Sequence, residues 1–389
     1  MLAADLDTSR LFTPFTVRNL VLRNRFVVPS MQRGVSDGGM PTADLAAYYR
    51  RRAEGGFALI MSESCAIDHP SAGGKQGCVR MASHTKEAWR HCVEGVVGAG
   101  GQMFIQLWHE GAMRQETNGA DEAEPTLSPS GLVTGAKPNG KALTARDMEE
   151  IKESYFRGAL MSQEVGAAGV ELHAAHGFFL DQFLWAETNI RADGYGGESI
   201  AQRVRFPAEV VSAIRQATGE NFVISFRFSQ WKETDYHTAK IVNSPAELGV
   251  MLTRLRAAGV DIFHASTRRF HTPEWPNSQL GLAGWTKALT DAAVLTVGSV
   301  GGKDEVLESF KGIDTTDTPA IVSSIAELIR RFDRQEFDLV AVGRASIGDP
   351  DWVNKVAAGR YQDIRRFNLK DLLTVLAAYD TEFNKGLYG

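Results

Sequence analysis

Cysteine is scarce: 389 residues hold only Cys65, Cys78 and Cys92, and no two of them form a C-x-x-C pair. That argues against a disulfide framework, a structural zinc or an iron–sulfur cluster, and leaves three ordinary buried thiols. Runs of basic residues are also missing and the net charge is −5, so nothing in the charge pattern marks a surface for nucleic acid or another polyanion. Met1 to Arg10 carries Asp5 and Asp7 and has no continuous apolar core. Neither a signal peptide nor a membrane span is expected there, which predicts a cytoplasmic protein with no membrane partner.

What is present is repetition. The chain is 43% hydrophobic, enough for one large barrel or two domains. Short apolar strands start near residues 26, 57, 102, 169, 222, 261, 294 and 338, and a helical pattern follows each. Eight such units predict an α/β fold, a TIM (β/α)8 barrel, as a single domain over 1–389 with the barrel proper at about 25–360. A doubly wound sheet would leave two edges, and neither terminal strand reads as short or charged, as an edge should. Leu11 to Phe26 predicts a hairpin closing the bottom, and 363–389 a helical tail packed across the barrel. Thr144 with Asp147, and Ser244-Pro245 with Glu247, mark helix starts. Ile200 to Thr218 and Ile325 to Glu336 read as helices, Asp338 to Arg344 as the last strand, and Lys303 to Ser323 as an insertion. The polar excursion His109 to Ala142 is long enough to cover a site.

The strand Gly169-Val170-Glu171-Leu172 ends in His173 and His176, at the end of a barrel strand where chemistry is built. Three readings stand: neutral imidazoles donating to one ligand oxygen, a pair of metal ligands, or a structural pair. No acidic cluster accompanies them, so zinc loses ground and no metal is expected. Gly298-Ser299 and Gly343-Arg344 end strands seven and eight, which are neighbours in a barrel. They read either as tight turns or as a phosphate cradle, with the Arg344 guanidinium gripping two oxygens. Ser64, Gln106 and Arg227 stand at other strand ends. They either satisfy an ordinary polar rim or, as a group, hold a phosphorylated, planar redox cofactor.

Leu11-Phe12, Pro14-Phe15, Asn24-Arg25, Gln106-Leu107-Trp108-His109, His173-Ala174-Ala175-His176-Gly177, Asp193-Gly194-Tyr195-Gly196-Gly197 and Val342-Gly343-Arg344 together resemble the Old Yellow Enzyme family of flavin-dependent ene-reductases. The resemblance implies non-covalent FMN, reduced by NADH or NADPH, passing hydride to the β-carbon of an α,β-unsaturated carbonyl compound. It implies that Pro29, Ser30 and Ser64 border the flavin and that Gln106 bonds its pyrimidine side. Arg227 would neutralise its anionic edge, Gly298, Ser299, Gly343 and Arg344 would hold the phosphate, and His173 and His176 would be the catalytic donors to the substrate carbonyl. Two positions depart from the family: Phe178 stands where a proton-donating tyrosine is usual, and Met31 where a threonine or cysteine is. The proton is then expected from solvent or another rim group, with Tyr236 and His271 as candidates. A flavin dehydrogenase or demethylase, or a flavin-binding protein with weak turnover, is the alternative. The loop 266–283 reads as a substrate or nicotinamide wall, a packed surface loop, or a contact in a homo-oligomer.

Overall fold

The computed structural model describes residues 6–73, 77–114, 126–135, 137–302 and 317–372. Eight parallel strands follow one another in it: β1 (Phe26–Val28), β2 (Leu59–Ile67), β3 (Gln102–Trp108), β4 (Gly169–His176), β5 (Val223–Lys232), β6 (Ile262–Ser266), β7 (Ala293–Val297) and β8 (Leu339–Ala341). Each pairs with the next, and β8 returns to β1 through Val340 opposite Phe26, so the sheet closes. Both terminal strands are in fact short, at three residues each, contrary to the expectation from sequence. They pair with each other, which removes the edges that shortness would otherwise signal.

The alternation of side chains explains both cores. Val27, Leu59, Met61, Phe104, Val223, Ile262, Leu295 and Leu339 point into the barrel and pack as its floor. Their neighbours Phe26, Ile60, Ile105, Ile224, Phe263, Val294 and Val340 point out against the helices. Strands buried on both faces are apolar on both sides at this level, and these are. The antiparallel hairpin Phe15–Val17 with Leu20–Leu22 lays Leu22 on the floor and plugs the bottom, as expected.

Helices α1 (Ala43–Glu54), α2 (Lys86–Gly98), α3 (Ala145–Glu164), α4 (Arg205–Thr218), α5 (Pro245–Ala258), α6 (Leu282–Leu289), α7 (Thr318–Asp333) and α8 (Trp352–Ala357) follow the strands in turn. Thr144 caps α3 by accepting the Asp147 N–H at 3.2 Å, while Asp147 returns the bond to the Thr144 N–H at 2.8 Å. Ser244 accepts from the Glu247 N–H to start α5.

Several boundaries differ from expectation. The helix placed at Ile325 to Glu336 starts seven residues earlier: Asp317 accepts the Ala320 N–H at 2.8 Å and Pro319 occupies its first turn. Thr318 to Ser323 is therefore helix rather than insertion, and residues 303–316 lie outside the described residues. The helix read as Ile200 to Thr218 is split at Val204. The last strand is only Leu339–Ala341, and Arg344 opens a short helix, Arg344–Gly348. Of the tail, two 3-10 turns are described, Tyr361–Asp363 and Leu369–Leu372, tied to the top of the barrel by Arg33 Nη2 donating to the Asp371 carbonyl at 2.6 Å. Residues 373–389 lie outside the described residues. No described helix is long and apolar enough to cross a membrane.

Candidate active site at the mouth of the barrel

Above the apolar floor the inward-facing positions turn polar, because a strand repeats its facing every second residue. Gln106 on β3, Glu171 on β4, Ser225 on β5 and His264 on β6 form this layer, and all four are fully buried. The Glu171 carboxylate accepts from Gln106 Nε2 at 2.8 Å, Ser225 Oγ at 3.0 Å and His264 Nδ1 at 2.8 Å. The Gln106 carbonyl oxygen accepts the hydroxyls of Ser30 and Ser64 at 2.7 and 2.8 Å. Burial opposes charge on Glu171, but His264, Arg227 and Gln106 hold the carboxyl down to about 2. Burial pushes His264 below the usual imidazole range, with Glu171 pulling back. The pair is therefore a carboxylate accepting from a neutral imidazole, whose Nε2 is buried with no hydrogen-bond partner.

His173, Arg227 and Ser266 form the next layer. Arg227 Nη1 donates to the Ser30 carbonyl at 3.2 Å, and its Nη2 donates to Ser266 Oγ at 3.2 Å. Ser266 Oγ also lies 2.9 Å from His176 Nε2, and the Ser266 carbonyl accepts the Trp231 indole N–H at 3.2 Å. Trp231 stacks on the His176 ring with centroids 4.2 Å apart. Tyr236 stacks on Trp231 at 5.4 Å, and the Arg268 guanidinium lies 5.0 Å from the centre of the Tyr236 ring.

The two histidine rings meet edge to face, 5.1 Å between centroids and 88° between planes. Burial, then Arg227, presses His173 down to about 3. The same two causes, with His173 added, hold His176 well below the usual range. Both are neutral at pH 7, each with one donor and one acceptor nitrogen. Nδ1 of His173 is buried without a hydrogen-bond partner. No group of three His, Cys, Asp or Glu side chains able to hold a metal occurs among the described residues.

His176 sits in the left-handed region at φ 67, unusual for a side chain with a Cβ, and needs support to stay there. Ser229 Oγ accepts its N–H at 2.9 Å and the Glu233 N–H donates to its carbonyl at 3.0 Å. Behind the turn, Asp181 accepts the Gly177 N–H at 2.6 Å and pairs with Lys232 at 2.8 Å, both side chains fully buried. Burial lifts Asp181 to about 6 although Lys232 pulls it down.

Phe178 lies edge-on to Trp108 at 5.4 Å and to His173 at 5.0 Å, so the usual tyrosine position does adjoin the histidines, without a hydroxyl. The other proton-donor candidates have other neighbours. Tyr236 stacks on the Trp231 indole, and the half-buried His271 ring lies against Phe270 with Glu327 and Arg331 of α7 nearby. Within the loop 266–283, Trp275 packs on Trp285 at 5.6 Å and donates to the Asn243 carbonyl at 3.0 Å.

The ends of β7 and β8 are neighbours, with Val297 opposite Ala341, which places Gly298-Ser299 beside Gly343-Arg344. Gly298 has φ 132, and a Cβ there would stand 2.5 Å from the Thr267 carbonyl oxygen. Packing against the neighbouring strand end thus accounts for that glycine without a ligand. At Gly343 a Cβ would make only ordinary contacts, with Met31 Sδ at 3.7 Å and Pro29 Cγ at 3.8 Å, so Pro29 and Met31 join this side of the mouth.

Sequence reasoning passed over Glu171, Ser225, His264, Ser266, Trp231 and the Asp181–Lys232 pair. One signal was available: a glutamate inside a strand that must be buried on both faces demands partners in the barrel.

A sequence model of the NADH:flavin oxidoreductase / NADH oxidase family matches residues 10–311. An NADH oxidase of Thermoanaerobacter brockii is 31% identical over 371 residues, covering 92% of this chain and 52% of the relative. The 12-oxophytodienoate reductase 7 of Oryza sativa subsp. japonica is 34% identical over 226 residues, covering 55% of this chain and 57% of that protein. The chain thus spans about half the length of these curated relatives. The Old Yellow Enzyme structure from Pichia sp. AKU4542 aligns with a TM-score of 0.76 at 24% identity, over 93% of this chain and 90% of that one, and has the same fold. The site suits a flavin: Arg227 supplies a buried cation, Gln106 keeps one amide N–H beyond its bond to Glu171, and paired strand ends lie alongside. By this match over most of its length, the chain belongs to the NADH:flavin oxidoreductase / NADH oxidase family, whose cofactor is FMN.

Proposed function

We propose that the chain is an FMN-dependent oxidoreductase that uses NADH or NADPH to reduce the activated C=C bond of an α,β-unsaturated carbonyl compound. One observation carries this reading: two neutral, buried imidazoles stand 5.1 Å apart beside the fixed cation Arg227. A carbonyl oxygen has two lone pairs and can accept from both rings. As that oxygen gains enolate character the two bonds strengthen, which lowers the barrier without the imidazoles changing charge. Bound FMN supplies the hydride chemistry. Pro29, Ser30, Met31, Ser64 and Gln106 would border its ring, Arg227 would face its electron-rich edge, and Gly298, Ser299, Gly343 and Arg344 would hold its phosphate. A relative named 12-oxophytodienoate reductase supports a substrate of the oxo class.

The test starts from purified protein titrated with FMN and followed by visible absorbance. Uptake of FMN, then anaerobic NADH or NADPH oxidation that cyclohexenone or maleimide accelerates, is expected. A colourless protein that takes up no FMN overturns the reading. FMN uptake with no acceleration by any enone favours the second one, a flavin protein with weak turnover, toward which Phe178 points. Phe178→Tyr places a hydroxyl at the position that adjoins His173, and a positioned general acid contributes about 10²–10⁴-fold to rate. Turnover is expected to rise by at least roughly tenfold where protonation limits, and deuterium from heavy water is expected to enter the α-carbon on one face. No change in either removes this position as the donor site.

A further inference from the structure

Glu171 shares its layer with Gln106, which the proposed function assigns to the flavin ring, and lies below Arg227; nothing in that function uses it. Its three acceptor contacts join a continuous chain. Glu171 holds Gln106, Gln106 accepts the Ser30 hydroxyl, the Ser30 carbonyl accepts Arg227, and Arg227 shares Ser266 with His176. The amide of Gln106 is thereby held one way round. Turning it over would set its carbonyl oxygen against the Glu171 carboxylate and its NH₂ against two hydroxyls. Among the described side chains of these two layers Glu171 is the carboxylate and Arg227 the cation, on which Glu233 also acts from outside them, while His173 and His264 are neutral.

We propose that Glu171 is a positioning residue that fixes the amide orientation of Gln106 and, through its buried negative charge, sets how strongly the site prefers oxidised over reduced FMN. The inference rests on the FMN reading above. Reduced FMN adds electron density to the mouth of the barrel, and a carboxylate in a low-dielectric interior acts against that addition while Arg227 favours it. Removing the charge and keeping the shape should then favour the reduced cofactor.

The test compares wild type with Glu171→Gln, Glu171→Asp and, as a control that removes the amide and leaves the Glu171 charge, Gln106→Leu, each titrated with FMN and then poised anaerobically against redox dyes. In Glu171→Gln the ratio of dissociation constants, oxidised over reduced FMN, is expected to rise about tenfold, which is about 30 mV upward on a two-electron couple. Glu171→Asp, which keeps the charge, is expected to restore the wild-type potential even where it weakens FMN binding. A merely structural role predicts weaker binding of both forms in equal measure and an unchanged potential, and that result overturns the proposal. If Glu171→Gln does not fold, Glu171→Asp and wild type still decide: a potential in Glu171→Asp that shifts as far as in Gln106→Leu removes the charge from the account. Wild type that binds no FMN sinks the FMN reading instead, and the two failures are told apart by the first titration.

Discussion

Replacing His173 by alanine is expected to lower kcat/KM for cyclohexenone by about 10²–10³-fold, the usual effect of removing one donor from a developing oxyanion. FMN affinity is expected to be unchanged, because the ring-bordering contacts of Ser30, Ser64 and Gln106 are made to one another and to Glu171, not to His173. His173→Asn keeps an N–H and should recover part of the loss. The same substitution at His176 removes more than a donor. Trp231 loses the ring it stacks on at 4.2 Å and Ser266 loses its contact, so His176→Ala should also raise KM. Since burial and Arg227 press His173 down to about 3 and hold His176 well below the usual imidazole range, wild-type kcat/KM should show no imidazole step near the ordinary histidine range, about pH 6–7. Rates measured across that range with His173→Ala, His173→Asn and wild type check the argument. A His173→Ala enzyme within threefold of wild type would sink it.

The second large effect is on stability. Asp181→Ala strands the Lys232 ammonium in a fully buried position and removes the acceptor of the Gly177 N–H. Breaking a buried pair by deleting one partner costs about 3–5 kcal/mol, because the remaining charge has no water to turn to. Chemical denaturation should report a loss of that size. The double substitution Asp181→Leu with Lys232→Met, which replaces the pair with apolar groups of similar size, should recover most of it. Activity should not recover equally. The pair also holds the backbone that keeps His176 at φ 67, and the Gly177 N–H stays unsatisfied in the double variant. A double variant as unstable as Asp181→Ala would show that the hydrogen bond to Gly177, rather than the charge pair, dominates.

These two predictions separate what strand facing decides from what neighbours decide. The facing of His173 follows from the strand pattern alone. The support of His176 does not, since Ser266 is 90 residues away and Lys232 is 51 residues from Asp181. The missing tyrosine was equally plain in the sequence, but the fate of its substitutes was not. Tyr236 is close in sequence to Trp231, and the fold stacks it on the indole.

Eight short apolar runs, each followed by a helical pattern, and the helix caps at Thr144 and Ser244 determined the barrel without any structure, since each run and each cap is a local property of the chain. The same local patterns brought His173, His176, Gln106 and Arg227 to strand ends and carried the family resemblance. Only the closed barrel decided which inward residues meet. Glu171 reads as a misplaced charge until β3, β5 and β6 bring Gln106, Ser225 and His264 around it, the last from 93 residues away. Facing is written every second residue, but lateral neighbours depend on register and closure, which long-range packing sets and a linear pattern cannot carry.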